Sequence, residues 1–399
     1  MNRVVVYFTI LFFLATFFVI GRKLEQTNDQ NLVFEPNEKE EFRAIYVSYI
    51  ELEKYFKGKK EEEGKKNVIS MVENMKNAGF NQILLQVRSF SDAIYPSVLF
   101  PYSLKIVENE KDKYSFDLLS YFIEIAHKND MFVHAWINPY RIRTSVDIST
   151  ITSSNPAFPY LNTRVVQVID DKGIYYNPAR DETTKLVVDG IIEIIDNYDI
   201  DGIHMDDYFY PSDDIDLVEY QEYIDGGGTL SLSFFRYSII NNLISKIYKV
   251  IKEKDSSILF GIAPDGNIEN NKDKHFLDIE TLLRENYYID YVMPQVYYGF
   301  FNEVKPFYET VSFWNSLIKN DSVVIIPALA FYKSGLEDKY ARSGKNEWVE
   351  YSDIIMRQVL MSRNLSFYKG FSLFRYDSLF GDNLNENKVI EFNNLKSIL

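Results

Sequence analysis

The stretch Asp201-Gly202-Ile203-His204-Met205-Asp206-Asp207-Tyr208-Phe209-Tyr210-Pro211 decides the fold. A run with helical character leads into it, and the turn at its start reverses the chain. Successive side chains of a strand point to opposite faces, so if the apolar residues between them pack outward, His204 and Asp206 share the inward face. The stretch therefore predicts a short buried strand that ends on two carboxylates and a group of aromatic rings.

The same strand and helix alternation recurs along the chain from Phe42 onward. The predicted strands are Ala44–Ser48, Gln82–Val87, Phe132–Trp136, Gly202–Asp206, Ile258–Ala263, Tyr291–Gln295, Val323–Ala328 and Gly370–Leu373. The predicted helices between them are Val68–Ala78, Leu118–Lys128, Thr183–Tyr198, Phe235–Lys254, Asp278–Asn286, Lys305–Leu317 and Asp353–Asn364. This order demands a parallel sheet and predicts an α/β (β/α)8 TIM barrel, with long loops and the active site at the carboxyl ends of the strands. A doubly wound open sheet is the alternative, but no Gly-rich phosphate turn follows the first strand.

Two connections exceed what a plain strand-to-helix loop needs. The first runs from Ile137 to Arg180, and within it 164–170 and 173–176 predict a hairpin over the barrel mouth. The second runs from Ser212 to Leu232 and is rich in acidic residues and glycine. It predicts a mobile acidic lid.

Composition excludes several classes of function. The net charge is −15 and the pI about 4.9, so a phosphate backbone would be repelled and no nucleic acid partner is expected. The absence of cysteine removes disulfides, thiolate catalysis and Cys-ligated zinc. The 30 tyrosines and 30 phenylalanines exceed what a core requires, which suits a carbohydrate cleft, although a compositional bias explains them equally well.

The amino terminus predicts a membrane segment. Val4 to Ile20 is an uncharged apolar run, flanked by Arg3 and by Gly21-Arg22-Lys23. At about 1.5 Å per residue it reaches roughly 26 Å, marginal for spanning a bilayer, and no Ala-x-Ala-like cleavage site follows. We expect residues 1–23 to be a membrane anchor or signal, 24–40 a linker and 41–399 the barrel, in an extracytoplasmic protein that is membrane-anchored or secreted.

Asp206 is the leading candidate for a catalytic carboxylate, and Asp207 is the second. The plainer interpretation is a strand exit in which Asp207 caps the next segment. Hydrolysis of a glycosidic bond usually needs two carboxyl groups with different tasks. Because adjacent side chains in a strand diverge, the partner of Asp206 could instead come from Asp92, Asp265 or Glu219.

Polar and aromatic side chains recur where the predicted strands end, which predicts a substrate site. These candidates are Arg88, Asp92, Tyr95, His134, Trp136, Asn138, Tyr140, Arg141, Asn177, His204, Tyr208, Tyr210, Asp265, Gln295, Tyr297, Tyr298 and Tyr332. Sugars bind by ring stacking plus a few directed hydrogen bonds. We therefore expect an open groove lined by the rings of Trp136, Tyr140, Tyr208, Tyr210, Tyr297 and Tyr298, with Arg88, Asn138 and Gln295 beneath.

His134 and His204 could, with Asp206, be read as metal ligands. The chain has only four histidines, and metal-dependent barrel hydrolases normally supply more imidazoles. A hydrogen-bonded structural role, or one that orients Asp206, is favoured. No cofactor or metal is expected.

Five stretches together resemble the glycosyl hydrolase-like 10 family, in order along the chain: Gly79–Arg88, His134–Arg141, Asp201–Pro211, Phe260–Pro264 and Ile289–Tyr297. The Asp-Asp-Tyr-Phe-Tyr signature of the family is intact from Asp206 to Tyr210, whereas Asp265 and Ile239 depart from its usual residues. The chitinase signature is also similar but ends in Glu, where this chain has Tyr208, so a chitinase-type acid is contradicted.

The family resemblance implies a bacterial, mostly extracytoplasmic TIM barrel, and some members act on peptidoglycan strands that lack stem peptides. The expected function is hydrolysis of a cell-wall or surface glycan by carboxylate acid/base chemistry, with an oligo- or polysaccharide as substrate. A glycan-binding barrel without catalysis is the alternative, and a metal-dependent hydrolase is a weaker one.

Overall fold

The computed structural model describes residues 41–206, 209–382 and 384–399. These residues form a curled parallel sheet of nine strands, a smaller antiparallel sheet of three strands, and surrounding helices. The strands of the large sheet are β1 Phe42–Val47, β2 Gln82–Arg88, β3 Phe132–Ile137, β7 Gly202–Asp206, β8 Leu259–Ala263, β9 Tyr291–Val292, β10 Val324–Ile325, β11 Ala328–Leu329 and β12 Gly370–Leu373; those of the small sheet are β4 Arg141–Arg143, β5 Val166–Ile169 and β6 Gly173–Tyr176. The predicted α/β class and parallel strand order are confirmed.

The large sheet curls until its two ends lie on one segment of chain. Its order is β10-β9-β8-β7-β3-β2-β1-β12-β11, and β10 and β11 are the two halves of residues 324–329. The first half pairs with β9 and the second with β12, which makes the sheet barrel-like. The single strand predicted over Val323–Ala328 is interrupted because Pro327 has no N–H to donate.

The helices follow the predicted alternation. In chain order they are α1 Tyr49–Phe56, α2 Glu61–Asn77, α3 Leu118–Lys128, α4 Asp181–Asn197, α5 Leu217–Asp225, α6 Leu232–Lys254, α7 Ile268–Asp273, α8 Ile279–Arg284, α9 Phe307–Leu317, α10 Glu347–Glu350, α11 Ile354–Ser362, α12 Tyr376–Phe380 and α13 Glu386–Lys396. Helix α3 has the predicted bounds because Asp117 caps it by accepting the Ser120 N–H at 3.0 Å.

Aromatic and imidazole rings fill the barrel interior. His134 and His204 are buried there beside Tyr291, and each ring side chain needs space on the adjoining strand. A Cβ atom added to Gly202 would lie 2.1 Å from His134 Nδ1, and one added to Gly261 would lie 2.0 Å from the Tyr291 ring. The two glycines therefore make room for the rings of their pairing partners.

The interior histidines are hydrogen-bonded within the barrel. The Tyr291 hydroxyl lies 3.0 Å from His134 Nδ1 and 3.1 Å from His204 Nδ1. The other ring nitrogens lie 3.2 Å from Gln82 Oε1 and 3.1 Å from the Tyr46 hydroxyl, respectively. Burial lowers the pKa of His134 to about 3 and that of His204 well below its usual range, so both are neutral at physiological pH.

The predicted hairpin is present as β5 and β6, and β6 also pairs with β4. The predicted lid, 212–232, contains helix α5, which the acidic pattern does not predict. No helix within the described ranges is both long and apolar enough to cross a membrane. The predicted anchor, 1–23, and linker, 24–40, lie outside the described residues.

Candidate active site

Asp206 lies at the carboxyl end of β7, where it is buried and oriented by a relay of amides. The Asn138 side chain, just beyond β3, donates through Nδ2 to Asp206 Oδ1 at 2.5 Å. Asn138 Oδ1 accepts from Gln86 Nε2 at 2.5 Å, and Gln86 Oε1 accepts from the Tyr49 N–H at 2.8 Å. The Tyr49 N–H fixes Gln86 Oε1, so Gln86 presents its NH2 group to Asn138 Oδ1. Asn138 therefore presents its own NH2 group to the Asp206 carboxylate.

Strand periodicity explains how these side chains meet. Gln86, Asn138 and Asp206 stand at the ends of three neighbouring strands, β2, β3 and β7. Asn138 and Asp206 each come two residues after an inward ring, and Gln86 two residues after the inward Leu84. They form the polar side of the barrel mouth.

Three rings form the opposite, aromatic side of the mouth. Tyr297, Tyr332 and Phe374 follow β9, β11 and β12, and each is half-buried. Their centroids lie 5.9 to 6.1 Å apart, and Phe374 also contacts the interior Tyr46. Partly exposed ring faces opposite a carboxylate suit a sugar substrate.

Each candidate for the second carboxylate within the described residues accepts hydrogen bonds from neighbouring groups. Asp265 accepts from the Asn267 N–H at 2.7 Å and from Asn270 Nδ2 at 2.8 Å. It lies two residues beyond Ala263, the residue on β8 that pairs with Asp206, so it emerges on the same inward face. Asp207 lies outside the described residues.

The other two candidates belong to loop contacts. Asp92 is buried, accepts from the Phe90 N–H at 3.2 Å, and has its pKa raised by burial. Glu219, on α5, accepts from Asn177 Nδ2 at 3.1 Å. Asn177 also donates to the Ile215 carbonyl at 2.9 Å, so it fixes the loop after β7.

We expected Arg88 to lie beneath the groove, but it does not. The pairing of β2 with β3 shifts between Gln86 and Arg88, and this irregularity turns Arg88 toward the helices. Its guanidinium carbon lies 4.3 Å from the Phe100 ring centroid, next to Gly190 of α4. Gln86 takes the inward position instead.

The groove is also less aromatic than expected, because Trp136, Tyr140 and Tyr210 are buried. Trp136 packs against Tyr46 inside the barrel with a centroid distance of 5.2 Å. The predicted site residue Tyr95 is buried too and packs on Tyr198 outside the sheet.

Tyr298 and Gln295 remain half-buried, and Gln295 Nε2 donates to the Ala263 carbonyl at 3.1 Å. Tyr208 lies outside the described residues. Of the predicted binding residues, the structure thus brings Asn138 to Asp206, and Tyr297 to Tyr332.

A buried ion pair holds the loop after β7. Asp216 accepts from Arg236 of α6 at 2.6 to 3.1 Å and from the Tyr210 hydroxyl at 2.5 Å. Burial is the larger cause that raises the pKa of Tyr210, and the nearby Asp216 carboxylate raises this pKa further. The Tyr210 side chain is therefore part of the support for this loop, and Tyr210 and Arg141 both line one cleft.

The metal interpretation gains no geometric support. Every ring nitrogen of His134 and His204 has a partner in the barrel interior. In the part of the chain that is described, no group of three or more His, Asp or Glu side chains is placed to hold a metal ion.

Sequence reasoning missed two residues of this mouth. Gln86 is inward by the same period of two that identified Asp206, so the pattern could have found it. Phe374 lies just beyond the last strand, two residues after Ser372, and therefore on the same face. Its ring neighbours Tyr297 and Tyr332 come from loops whose course no local pattern indicates.

Comparison with known proteins relates the chain to glycosyl hydrolases. The sequence profile of the family described as Glycosyl hydrolase-like 10 matches residues 41–344. Glycosyl hydrolase YngK of Bacillus subtilis (strain 168) is 28% identical over 354 residues, which are 83% of this chain and 67% of that protein. Glycosyl hydrolase DigH of Escherichia coli (strain K12) is 25% identical over 339 residues, 78% of this chain and 75% of that protein.

Solved structures share the fold at low sequence identity. The PgaB (BpsB) glycoside hydrolase domain from Bordetella bronchiseptica superposes with a TM-score of 0.60 at 11% identity, covering 89% of this chain and 99% of that one. Alpha-L-fucosidase isoenzyme 2 from Paenibacillus thiaminolyticus gives a TM-score of 0.56 at 12% identity, covering 90% of this chain and 49% of that one.

Proposed function

Because the chain belongs to the glycosyl hydrolase-like 10 family and is therefore a glycoside hydrolase, we propose that it cleaves a bacterial cell-wall or surface glycan, with Asp206 as its catalytic carboxylate. The observation that carries this proposal is the relay from Tyr49 through Gln86 and Asn138 to Asp206. A carboxylate whose orientation is fixed at the mouth of a barrel is prepared for proton transfer or nucleophilic attack.

Two residues are candidates for the second carboxylate. Asp207 follows Asp206 directly in the sequence, and adjacent side chains of a strand point to opposite faces. Asp265 shares the inward face at the end of the adjoining strand and is half-exposed, which favours it as the partner. One of the two groups would protonate the leaving oxygen while the other activates water or attacks the sugar carbon.

The substrate class rests on the family and on the mouth. The rings of Tyr297, Tyr332 and Phe374 offer stacking faces across from Asp206. The family resemblance adds peptidoglycan strands without stem peptides as the first substrate to test. A glycan-binding barrel is the alternative if no bond is cleaved.

The catalytic test uses the full chain, Asp206→Asn and a surface control, Asp321→Asn. Peptidoglycan strands with and without stem peptides are incubated with each, and new reducing ends are counted with and without a chelator. Asp206→Asn should lose at least ~10²-fold in rate while it still binds the glycan, because the amide keeps the shape but not the charge or proton.

Each contrary result has one meaning. Full activity of Asp206→Asn would place the chemistry elsewhere. Binding by the parent protein without new reducing ends on any strand would favour the glycan-binding barrel. Loss of activity on chelation would favour a metal-dependent hydrolase.

We also propose that the protein is extracytoplasmic, tethered to the membrane by Val4–Ile20 with 24–40 as a spacer. Cell fractionation should find the full-length chain with membranes, exposed to added protease outside the cytoplasm. Recovery of the intact chain in the cytoplasmic fraction would refute the tether.

A further inference from the structure

We propose that Lys333 is a positioning residue that holds the rings of Tyr297 and Tyr332 in the arrangement that binds a sugar unit, an inference that rests on the proposed glycan substrate. Lys333 follows Tyr332 directly and ends the short 3-10 helix Phe331–Lys333 after β11. Its side chain is 17% exposed, and that of its partner Asp338 is 2% exposed. A lysine is seldom this buried unless its charge has a partner, so the pair belongs to the framework of the loops that carry the rings.

The Lys333 ammonium group links the loop after β9 to the loop after β11. Its Nζ donates to the Tyr297 carbonyl at 2.8 Å and to Asp338 Oδ2 at 2.7 Å. The backbone of Lys333 is covalently joined to that of Tyr332. One side chain therefore fixes the distance between the backbones of the two ring residues.

Asp338 is held by its own segment, so the lysine has a fixed partner. Asp338 Oδ1 accepts the Tyr340 N–H at 3.2 Å, and the Asp338 N–H donates to the Lys345 carbonyl at 2.8 Å. Burial is the larger cause, and the Asp338 carboxylate the smaller one, that together raise the pKa of Tyr332 to about 12. The carboxylate thus lies near both the lysine and the ring that precedes the lysine in the chain.

The three rings of the aromatic side have a defined arrangement. The centroids of Tyr297 and Tyr332 lie 5.9 Å apart with an interplanar angle of 89°, and Tyr332 meets Phe374 at 82°. Tyr297 and Phe374 are tilted by 38° to each other. Tyr332 thus stands nearly perpendicular to the other two rings. A sugar that stacks on one ring also meets a second one, so its fit depends on the spacing that Lys333 sets.

The chain offers a matched lysine at the opposite end of the sheet. Lys252 Nζ lies 2.8 Å from Asp290 Oδ2 and donates to the Ile258 carbonyl at 2.7 Å. Its side chain is 20% exposed, close to the value for Lys333. Asp290 and Ile258 precede β9 and β8, so this pair lies at the amino ends of the strands. Both lysines join a carboxylate to a backbone carbonyl, but Lys252 lies away from the rings.

The test compares two double variants of the full chain, Lys333→Met/Asp338→Asn and Lys252→Met/Asp290→Asn. Each variant removes both charges of one pair, so no buried charge is left uncompensated and the protein should fold. Peptidoglycan strands without stem peptides are the probe. Dissociation constants, kcat and KM for new reducing ends, and the urea midpoint of unfolding are measured for each protein.

Lys333→Met/Asp338→Asn should raise the dissociation constant and KM about tenfold and change kcat less than about twofold. The reason is that the rings contribute to binding, whereas the contacts of Asp206 are left as they are. The Lys252 double variant should bind the strand as the parent does, even where the two variants lose the same stability.

A third variant separates positioning from a general loss of structure. Tyr297→Ala should weaken binding by a similar factor, and adding it to Lys333→Met/Asp338→Asn should weaken binding little further, because the lysine acts through this ring. Losses that multiply in the combined variant would show that Lys333 acts independently of the ring and would overturn the proposal.

The remaining outcomes separate the positioning role from the proposed hydrolysis. Parental binding by the Lys333 double variant, or an equal loss in the Lys252 control, would overturn the positioning role while hydrolysis stands. Weaker binding by the Lys333 double variant, with no new reducing ends from any protein, would support the positioning role and count against hydrolysis. No binding of the strand by the parent would overturn both.

Discussion

Asn138 is the side chain that holds Asp206 in position, so its loss should affect the rate more than substrate binding. We predict that Asn138→Ala lowers kcat roughly tenfold to a hundredfold with little change in KM, since a hydrogen bond to a charged group contributes about 1.5–3 kcal/mol. Steady-state kinetics would measure the two constants.

Gln86→Leu should act in the same direction but more weakly, because the Asn138 amide would then be free to turn. The control Asn197→Ala removes an exposed amide that donates to the Glu193 carbonyl of its own helix. An unchanged kcat in Asn138→Ala would show that the relay has no part in positioning Asp206.

The period of two explains both the success and the failure of prediction for single side chains. It identified Asp206 as inward, and the structure places it at the mouth. It fails at Arg88, because the pairing shift after Gln86 is set by two strands together and leaves no mark on the sequence of either one.

The loop after β7 depends on a buried ion pair between α6 and the residue before α5. Arg236→Met should lower the free energy of unfolding by about 3–5 kcal/mol, because it leaves the Asp216 carboxylate buried and uncompensated. Denaturant unfolding followed by fluorescence would measure the loss.

Lys185→Ala offers a matched control for this pair. It breaks the exposed bridge to Asp189 on α4, which should cost less than about 1 kcal/mol. Equal losses in the two variants would mean that the Arg236 pair is solvated and does not organise the loop.

Elements with local signals were predictable, and those fixed by distant partners were not. Asp117 caps α3, and the predicted bounds of this helix are confirmed. The segment of helix α5 was expected to be part of a mobile lid. The contacts that hold it, from Arg236 to Asp216 and from Asn177 to Glu219, come from other parts of the chain, so no local pattern predicts them.

Stability of the whole barrel should fall in acid because of its interior histidines. Burial depresses the pKa of His134 to about 3, whereas an unfolded histidine titrates near 6.5. Below pH 6.5 the unfolded chain binds protons that the folded chain does not, so stability is lost as pH falls toward 3. Each such histidine contributes a slope of about 1.4 kcal/mol per pH unit.

Urea unfolding at a series of pH values would test this dependence. Between pH 4 and 6, His134→Gln should reduce the slope of the unfolding free energy against pH by about 1.4 kcal/mol per pH unit, which corresponds to one proton. This holds whatever the effect of the substitution on stability at neutral pH. Asn197→Ala, at an exposed position of α4, removes no titratable group and should keep the parental slope. A slope that is the same in all three proteins would contradict the proposed linkage.

The overall strand and helix alternation was predictable, but the use of the aromatic residues was not. The excess of rings suggested an open sugar groove, yet Trp136, Tyr46 and Tyr291 lie inside the barrel. Composition counts the rings without assigning them to an inner or outer layer, and this assignment depends on the closure of the sheet.

The glycines that face the interior rings have a consequence for how this barrel changes over generations. Gly202 pairs across the sheet with His134, and Gly261 pairs with Tyr291. Since a single added methyl group would overlap each ring, neither member of a pair can be enlarged first. During evolution the ring must therefore be replaced by a smaller side chain before the glycine can be replaced by a larger residue. The two substitutions of each pair are thus coupled and follow a fixed order.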